Sequence, residues 1–319
     1  RKLADKVAAR VVGLGGLGVV LAVFFIAFYL IKEAAPLMGE PELGADGPSL
    51  SAPPAMIGGA EKFTDASWRI YPDGRLQLHS FRDGALIEEV EPLGLAEGEV
   101  LSEAKLTVDQ NSLIFATTQG RIGILELSFL TSFEGETANQ ESRRQEFGAL
   151  SVFWFVEEAQ VETPIAIDAL HGDAEARLNA WAVASYADGR VVLWRGQPRY
   201  NALEDETTWR MRSQEHQFEQ PASCVVLFER GRFLATVGDM VHGIGPADKF
   251  AGLEILGSEV AGGEIVVARE LIGRGSAILG TADGVLSRWL FQPTLDDDAI
   301  RPIALQEYEK SVAGLIDIL

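Results

Sequence analysis

The chain has 319 residues, 47% of them hydrophobic, with 33 glycines and a single cysteine, Cys224. That length allows one large domain or two ordinary ones, and abundant glycine beside 23% charged residues suits a turn-rich β protein rather than a disordered or coiled-coil one. The formal net charge of −20 argues against nucleic acid as a partner, and one cysteine excludes both an intramolecular disulfide and a cysteine-rich zinc site.

Residues 1–10 form a basic flank, with Arg1, Lys2, Lys6 and Arg10 against Asp5. Residues 11–31, VVGLGGLGVVLAVFFIAFYLI, are 21 positions without a charge. As a helix they span roughly 30 Å, the thickness of a bilayer core, and they show no polar stripe. The run is long for a cleaved signal peptide and no compact small-residue cleavage site follows it, so an uncleaved transmembrane anchor is predicted. Basic residues precede the run, which puts the N-terminus in the cytoplasm and everything after about residue 32 outside it. Downstream of that point 22 basic residues face 46 acidic ones, a net of −24. Gly13, Gly15 and Gly18 spell G-x-G-x-x-G, but no strand precedes them and no acidic residue follows at the distance a dinucleotide needs. Small residues here suit close helix packing instead.

Residues 32–60 follow as a linker. Pro36, Pro41, Pro48, Pro53 and Pro54, with interspersed glycine, disfavour helix and sheet alike. From 61 to 319 one unit recurs, two short apolar or alternating strands around a glycine turn. Its clear copies are ASWRIYPDGRLQLHSF (66–81), SLIFATTQGRIGILEL (112–127), AWAVASYADGRVVLWR (180–195) and SAILGTADGVLSRWLF (276–291), with a degraded copy at 232–244. Asp-Gly predicts a two-residue hairpin turn with φ > 0 at both positions. The turn glycines Gly74, Gly120, Gly189, Gly238 and Gly284 are spaced by 46, 69, 49 and 46 residues. A period in the mid-forties predicts an all-β fold, a WD40-like β-propeller of about five to six blades, in preference to a sandwich. Trp194 and Trp289 stand five residues past their glycines, where such blades place an aromatic in the third strand. The long interval holds an extra segment, 131–162, whose polar first half predicts a surface excursion. SVAGLIDIL (311–319) reads as the first strand of a further blade, so the ring as written is incomplete.

No catalytic, cofactor-binding or metal-binding residue is assigned, and no enzyme activity or cofactor is expected. His79, His171, His216 and His242 lack metal-ligand spacing. Asp296, Asp297 and Asp298 lack the frame of a calcium loop, and Glu88-Glu89 and Glu157-Glu158 read as ordinary surface acids. Cys224, within ASCVVLF, reads as a small buried hydrophobe. Arg143-Arg144 is flanked by Glu141 and Glu146 and reads as a solvated loop, while Arg75 and Arg190 belong to separate blades and need not converge. Tight phosphate binding by this domain is therefore not expected.

Residues 5–43 resemble the first transmembrane helix and exit of the large proteobacterial phosphate ABC transporter permease, its C subunit. The shared features are the basic Arg1 and Lys2, Asp5-Lys6, the glycines 13 to 18, Phe24-Phe25, Phe28-Tyr29 and Pro36-Leu37. The resemblance implies a WD40-like periplasmic domain inserted after the first helix and a bacterial inner-membrane location. It also implies partners reached through the rest of the permease: other permease helices, an ATPase and a periplasmic phosphate-binding protein. On that reading the chain is the anchor and the docking or regulatory propeller of a phosphate importer. The alternatives are a membrane-tethered scaffold for envelope protein assembly and a propeller enzyme using its central channel.

Overall fold

The structure is a computed structural model. It describes residues 54–308 apart from 64, 108–110, 134–142, 171–178, 202–205, 248–251, 272, 274 and 294–299, and before them only 19, 21–26, 28, 29 and 32, all of which are helical. Most of the predicted anchor, the bulk of the linker and the 311–319 segment lie outside the described residues.

Residues 50–319 form one compact unit made almost wholly of antiparallel strands. The first four-stranded sheet takes β1 (Ile57–Ala60), β2 (Ala66–Ile70), β3 (Leu76–Ser80) and β4 (Leu86–Val90) in sequence order. The second takes β5 (Leu101–Leu106), β6 (Ser112–Thr117) and β7 (Ile122–Glu126). The chain then leaves through a hairpin, β8 (Phe129–Phe133) and β9 (Arg143–Phe147), and returns as the outer strand β10 (Ser151–Val156). The third is β11 (Ala166–Leu170), β12 (Ala180–Ser185), β13 (Arg190–Asn201) and β14 (Glu206–Gln217). The fourth is β15 (Cys224–Leu227), β16 (Phe233–Val237), β17 (Met240–Pro246) and β18 (Leu253–Val260). The fifth is β19 (Ile265–Glu270), β20 (Ser276–Thr281), β21 (Leu286–Pro293) and β22 (Ile300–Tyr308).

The innermost strands pack in succession, β1 on β5, β5 on β11, β11 on β15 and β15 on β19. Sheets stacked face to face about their first strands make a β-propeller, with five blades among the described residues. Every sequence repeat is the second and third strand of a blade. Where a blade lies between two others its second strand is covered on both faces and reads as a continuous apolar run: β6 and β12 are buried at all six positions each, whereas β2 and β3 of the first blade alternate buried with half-buried positions. Period-two alternation divides β6 and β12 each between two neighbours. Leu113 and Phe115 of β6 join Trp68, Ile70, Leu76 and Leu78 of the first blade. Ile114 and Ala116, one step along, join Ala180, Ala182 and Ala184 of the third. The same division gives a layer between blades three and four, around Val183, Leu193, Val225 and Phe233, and one between four and five, around Val226, Leu234, Leu279 and Trp289.

The turns differ from the expected two-residue form. In the first blade Gly74 N–H donates to Tyr71 O (2.9 Å) and Tyr71 N–H to Arg75 O (2.9 Å). That is a three-residue loop with positive φ at Gly74 alone, the type I turn with a glycine bulge. Gly120, Gly189 and Gly284 repeat the pattern. Asp occupies a right-handed turn position here, where its carboxylate accepts the N–H two residues on, as Asp188 does from Arg190 (2.9 Å). A two-residue loop occurs in the degraded copy, Gly238-Asp239 between the paired Val237 and Met240. Ile57–Ala60, which the sequence reading leaves in the linker, pairs with β2 as an inner strand. The 131–162 segment supplies most of the β8–β9 hairpin together with β10, so its second half is integral to a blade.

Candidate docking groove and polar centre

Two polar sites stand out among the described residues. The first is at the propeller centre, where the inner strands converge. Lys105 of β5 and Asp168 of β11 are both buried, and Lys105 Nζ lies 3.1 Å from Asp168 Oδ2. That same oxygen accepts Leu227 N–H of β15 at 2.8 Å, filling an edge position to which no further strand pairs among the described residues. One carboxylate thus joins three blades. Hydroxyl groups add two more links, Ser185 Oγ donating to Ala222 O (2.8 Å) and Ser223 Oγ to Ile265 O (3.0 Å). Glu103, Cys224 and Arg269 sit in the same neighbourhood. Burial raises the Glu103 pKa, against the opposing pull of Arg269 and Lys105. Burial also pushes the Cys224 thiol up, although hydrogen bonds with Thr236 and Ser223 and the cations Lys105 and Arg269 act the other way. A thiol held protonated is a poor nucleophile.

The second site is a groove between blades two and three, with a volume of about 720 Å³. Its floor is apolar: Phe155 and Val156 at the end of β10, Tyr186 and Val192, and half-buried Trp194 and Met211. Phe153 braces that floor from β10, with its ring 5.0 Å from Phe155 and 4.9 Å from Trp209 across the blade boundary. The rim is charged and exposed, with Glu157, Glu158 and Glu162 on one side and Arg212 and Glu215 on the other. Arg190 closes one end. Its guanidinium pairs with Glu162 and with Asp188 (3.5 Å), and lies 4.6 Å from the centre of the Tyr186 ring. Burial, with Glu162 and Asp188 nearby, pushes the Tyr186 phenol up to about 12 despite Arg190, so it stays neutral.

No family model matches this chain, and no curated protein matches it. Among solved structures it is similar to the β-propeller domain of Myceliophteria thermophila Cps50 (Swd1), at 10% identity and a TM-score of 0.47, covering 82% of this chain and 74% of that one. It is also similar to BBS1N in its complex with ARL6DN, at 14% identity and a TM-score of 0.46, covering 78% of this chain and 65% of that one. A computationally designed protein, Ika8, matches at 12% identity with a TM-score of 0.42, covering 82% and 76%.

The residues singled out from sequence fall as follows. Arg143 is not in a solvated loop. It lies on β9, pairs with Asp65 at 2.7 Å and covers the Phe63 ring at 4.7 Å, while Arg144 donates to Arg143 O. Arg75 pairs with Asp73 (2.7 Å) beside Tyr71, so Tyr-x-Asp-Gly-Arg is one device used twice, at Arg75 and Arg190. Glu88 does more than solvate a surface: it accepts Phe147 N–H at 2.9 Å and so binds the inserted hairpin to the first blade. Cys224 lies on an inner strand beside polar groups rather than in a purely apolar setting. His79 bonds Gln77 and Gly84, while His216 and His242 sandwich Phe218, at ring distances of 4.7 and 4.9 Å. His171 and Asp296 to Asp298 lie outside the described residues, and among those described no three His, Cys, Asp or Glu side chains could hold a metal. Sequence reasoning missed Lys105, Asp168 and the groove. A lone acid in the apolar run AIDAL was the available signal for Asp168.

Proposed function

We propose that this protein is a membrane-tethered β-propeller that docks other proteins outside the bacterial cytoplasm. In keeping with the resemblance of residues 5–43, it is the anchor and docking or regulatory domain of an ABC-type phosphate-import permease. The observation that carries the tether is the exposure of apolar side chains on every side of a helical stretch. Val23, Phe24, Phe25 and Ile26 stand 60%, 70%, 71% and 61% exposed, and consecutive helical residues point about 100° apart. Such a surface needs an apolar phase around it. Among the described residues no helix is long and apolar enough to cross a membrane, so the length argument comes from the sequence, 21 uncharged residues at 11–31. The groove between blades two and three supports docking, being pre-formed, apolar at its floor and charged at its rim.

The test uses the full chain in bacterial membranes. We expect it to resist alkaline carbonate extraction, and protease added outside spheroplasts to degrade the propeller. Release by carbonate overturns the tether, and protection of the propeller overturns the orientation. A photo-crosslinker in place of Val161, which is fully exposed beside the groove, is expected to trap subunits of a phosphate importer. Absence of those subunits from the adducts overturns the permease assignment.

A further inference from the structure

We propose that the groove between blades two and three binds an extended, cationic segment of a partner protein, one that alternates Lys or Arg with apolar side chains. The inference rests on the docking role above and names the chemistry of its occupant.

Charge is the first argument. Four carboxylates, of Glu157, Glu158, Glu162 and Glu215, line the groove with two guanidiniums, of Arg190 and Arg212. Arg190 is already engaged by Glu162 and Asp188, which leaves the three acids Glu157, Glu158 and Glu215 against the one cation Arg212 along the exposed rim. An anionic segment would meet this surplus unfavourably and a cationic one favourably. The floor is the second argument. Trp194, Met211 and Phe155 offer adaptable apolar area, and methionine and tryptophan suit side chains laid across them. The third is shape. Glu157, Glu158, Gln160, Val161, Glu162, Ser213 and Glu215 are exposed, so the site is an open trough. A small molecule there would keep much of its surface in water, whereas a chain laid along the trough covers floor and rim together. Lys and Arg suit the rim because their aliphatic stems cover apolar surface while the charged head reaches the carboxylates.

The test is fluorescence anisotropy of a short labelled peptide alternating Lys with Leu or Phe, titrated with the full chain in detergent. A matched peptide carrying Glu in place of Lys is the comparison. We expect saturable binding of the Lys peptide that weakens with salt, and none of the Glu peptide. Reversal of the rim by E157K, E158K and E215K together should weaken binding by about tenfold, the equivalent of about 1.4 kcal/mol. Reversal at E254K and E259K on β18, outside the groove, should change it by less than about twofold. Unchanged melting temperatures establish that each variant is folded. Equal binding of the Glu peptide, or equal weakening by the β18 reversals, overturns the proposal, the latter by showing attraction to net charge alone. No saturable binding up to millimolar concentration also overturns it. If crosslinks from position 161 to importer subunits persist in that event, docking stands and only the cationic occupant falls.

Discussion

At the residue scale, the Lys105–Asp168 pair is the most consequential contact the fold makes without showing it in the sequence. Both side chains are nearly dry, 11% and 7% exposed, so each needs the other. Removing one member leaves a buried uncompensated charge, which costs about 3 kcal/mol or more. We expect D168A to lower unfolding free energy by about that much, since it strands Lys105 and also the Leu227 N–H. D168N should cost less, because its amide oxygen still accepts from Leu227, and K105M combined with D168N should recover part of the loss. Urea denaturation of the wild type, K105M, D168N and K105M/D168N closes the cycle. Strict additivity of the two single changes would show that the ion pair carries no coupling. The sequence could mark Asp168 as an oddity in an apolar strand. It could not supply the partner, because Lys105 belongs to another blade and the pairing follows from how inner strands converge. Arg143 teaches the same point in reverse: its flanking glutamates suggested solvent, yet Asp65 and Phe63, far away in sequence, decide its setting.

At the scale of elements, the reading of the repeats was largely correct and the reading of their turns was not. Strand pairs were legible because blades with a neighbour on each side cover both faces of a middle strand and give unbroken apolar runs, while the first blade shows period-two alternation, all at a regular spacing. Turn type was not, since Asp-Gly fits both a two-residue and a three-residue loop, and the Asp side chain's bond to the N–H two residues on favours the latter. Two glycines separate the steric from the conformational part of the demand. Gly189 has φ +88° and a Cβ there would lie 2.4 Å from Phe218 O, whereas Gly238 has φ +61° and nothing within 4 Å. G238A should therefore cost about 1 kcal/mol, the left-handed penalty alone. G189A should exceed that by about 1 kcal/mol or more, because the backbone has to move as well. Equal losses on denaturation would mean that Phe218 yields freely. The groove was illegible for a related reason: it is made where β10 returns from an inserted hairpin, and the extra length of one repeat does not say which strand closes the blade.

For the whole molecule, the period in the mid-forties was enough to predict a propeller, and five four-stranded blades are described. Blade boundaries also bear on pH. His216 of β14 and His242 of β17 flank Phe218, and His242 Nδ1 lies 2.7 Å from Ser258 Oγ. Burial lowers the pKa of both below 6.5, and for His242 the proximity of His216 adds to the effect. A depressed histidine pKa means that the unfolded chain takes up protons first. The stability is complete above about pH 6.5 and is lost as pH falls through that value towards the folded-state pKa. We expect the melting temperature to drop between neutral pH and pH about 5, and the drop to be smaller in the H216Q/H242Q double variant. An identical slope in both proteins would place the acid sensitivity elsewhere.

The inserted hairpin has a consequence for synthesis. Blade one ends at Val90, and its outer strand β4 pairs with β3 alone in its sheet. β9 reaches that strand through the Phe147 N–H to Glu88 bond, and reaches the start of β2 through the Arg143–Asp65 pair. Residues up to Phe147 therefore have to be made before the first blade receives these contacts. At about 5 to 20 residues per second, the interval lasts roughly 3 to 11 seconds. Throughout it a nascent sheet edge stands open, and an open edge recruits any strand that passes. Glu88 on β4 then serves twice, repelling stray partners early and receiving the hairpin later. That glutamate is the guard of an unfinished blade.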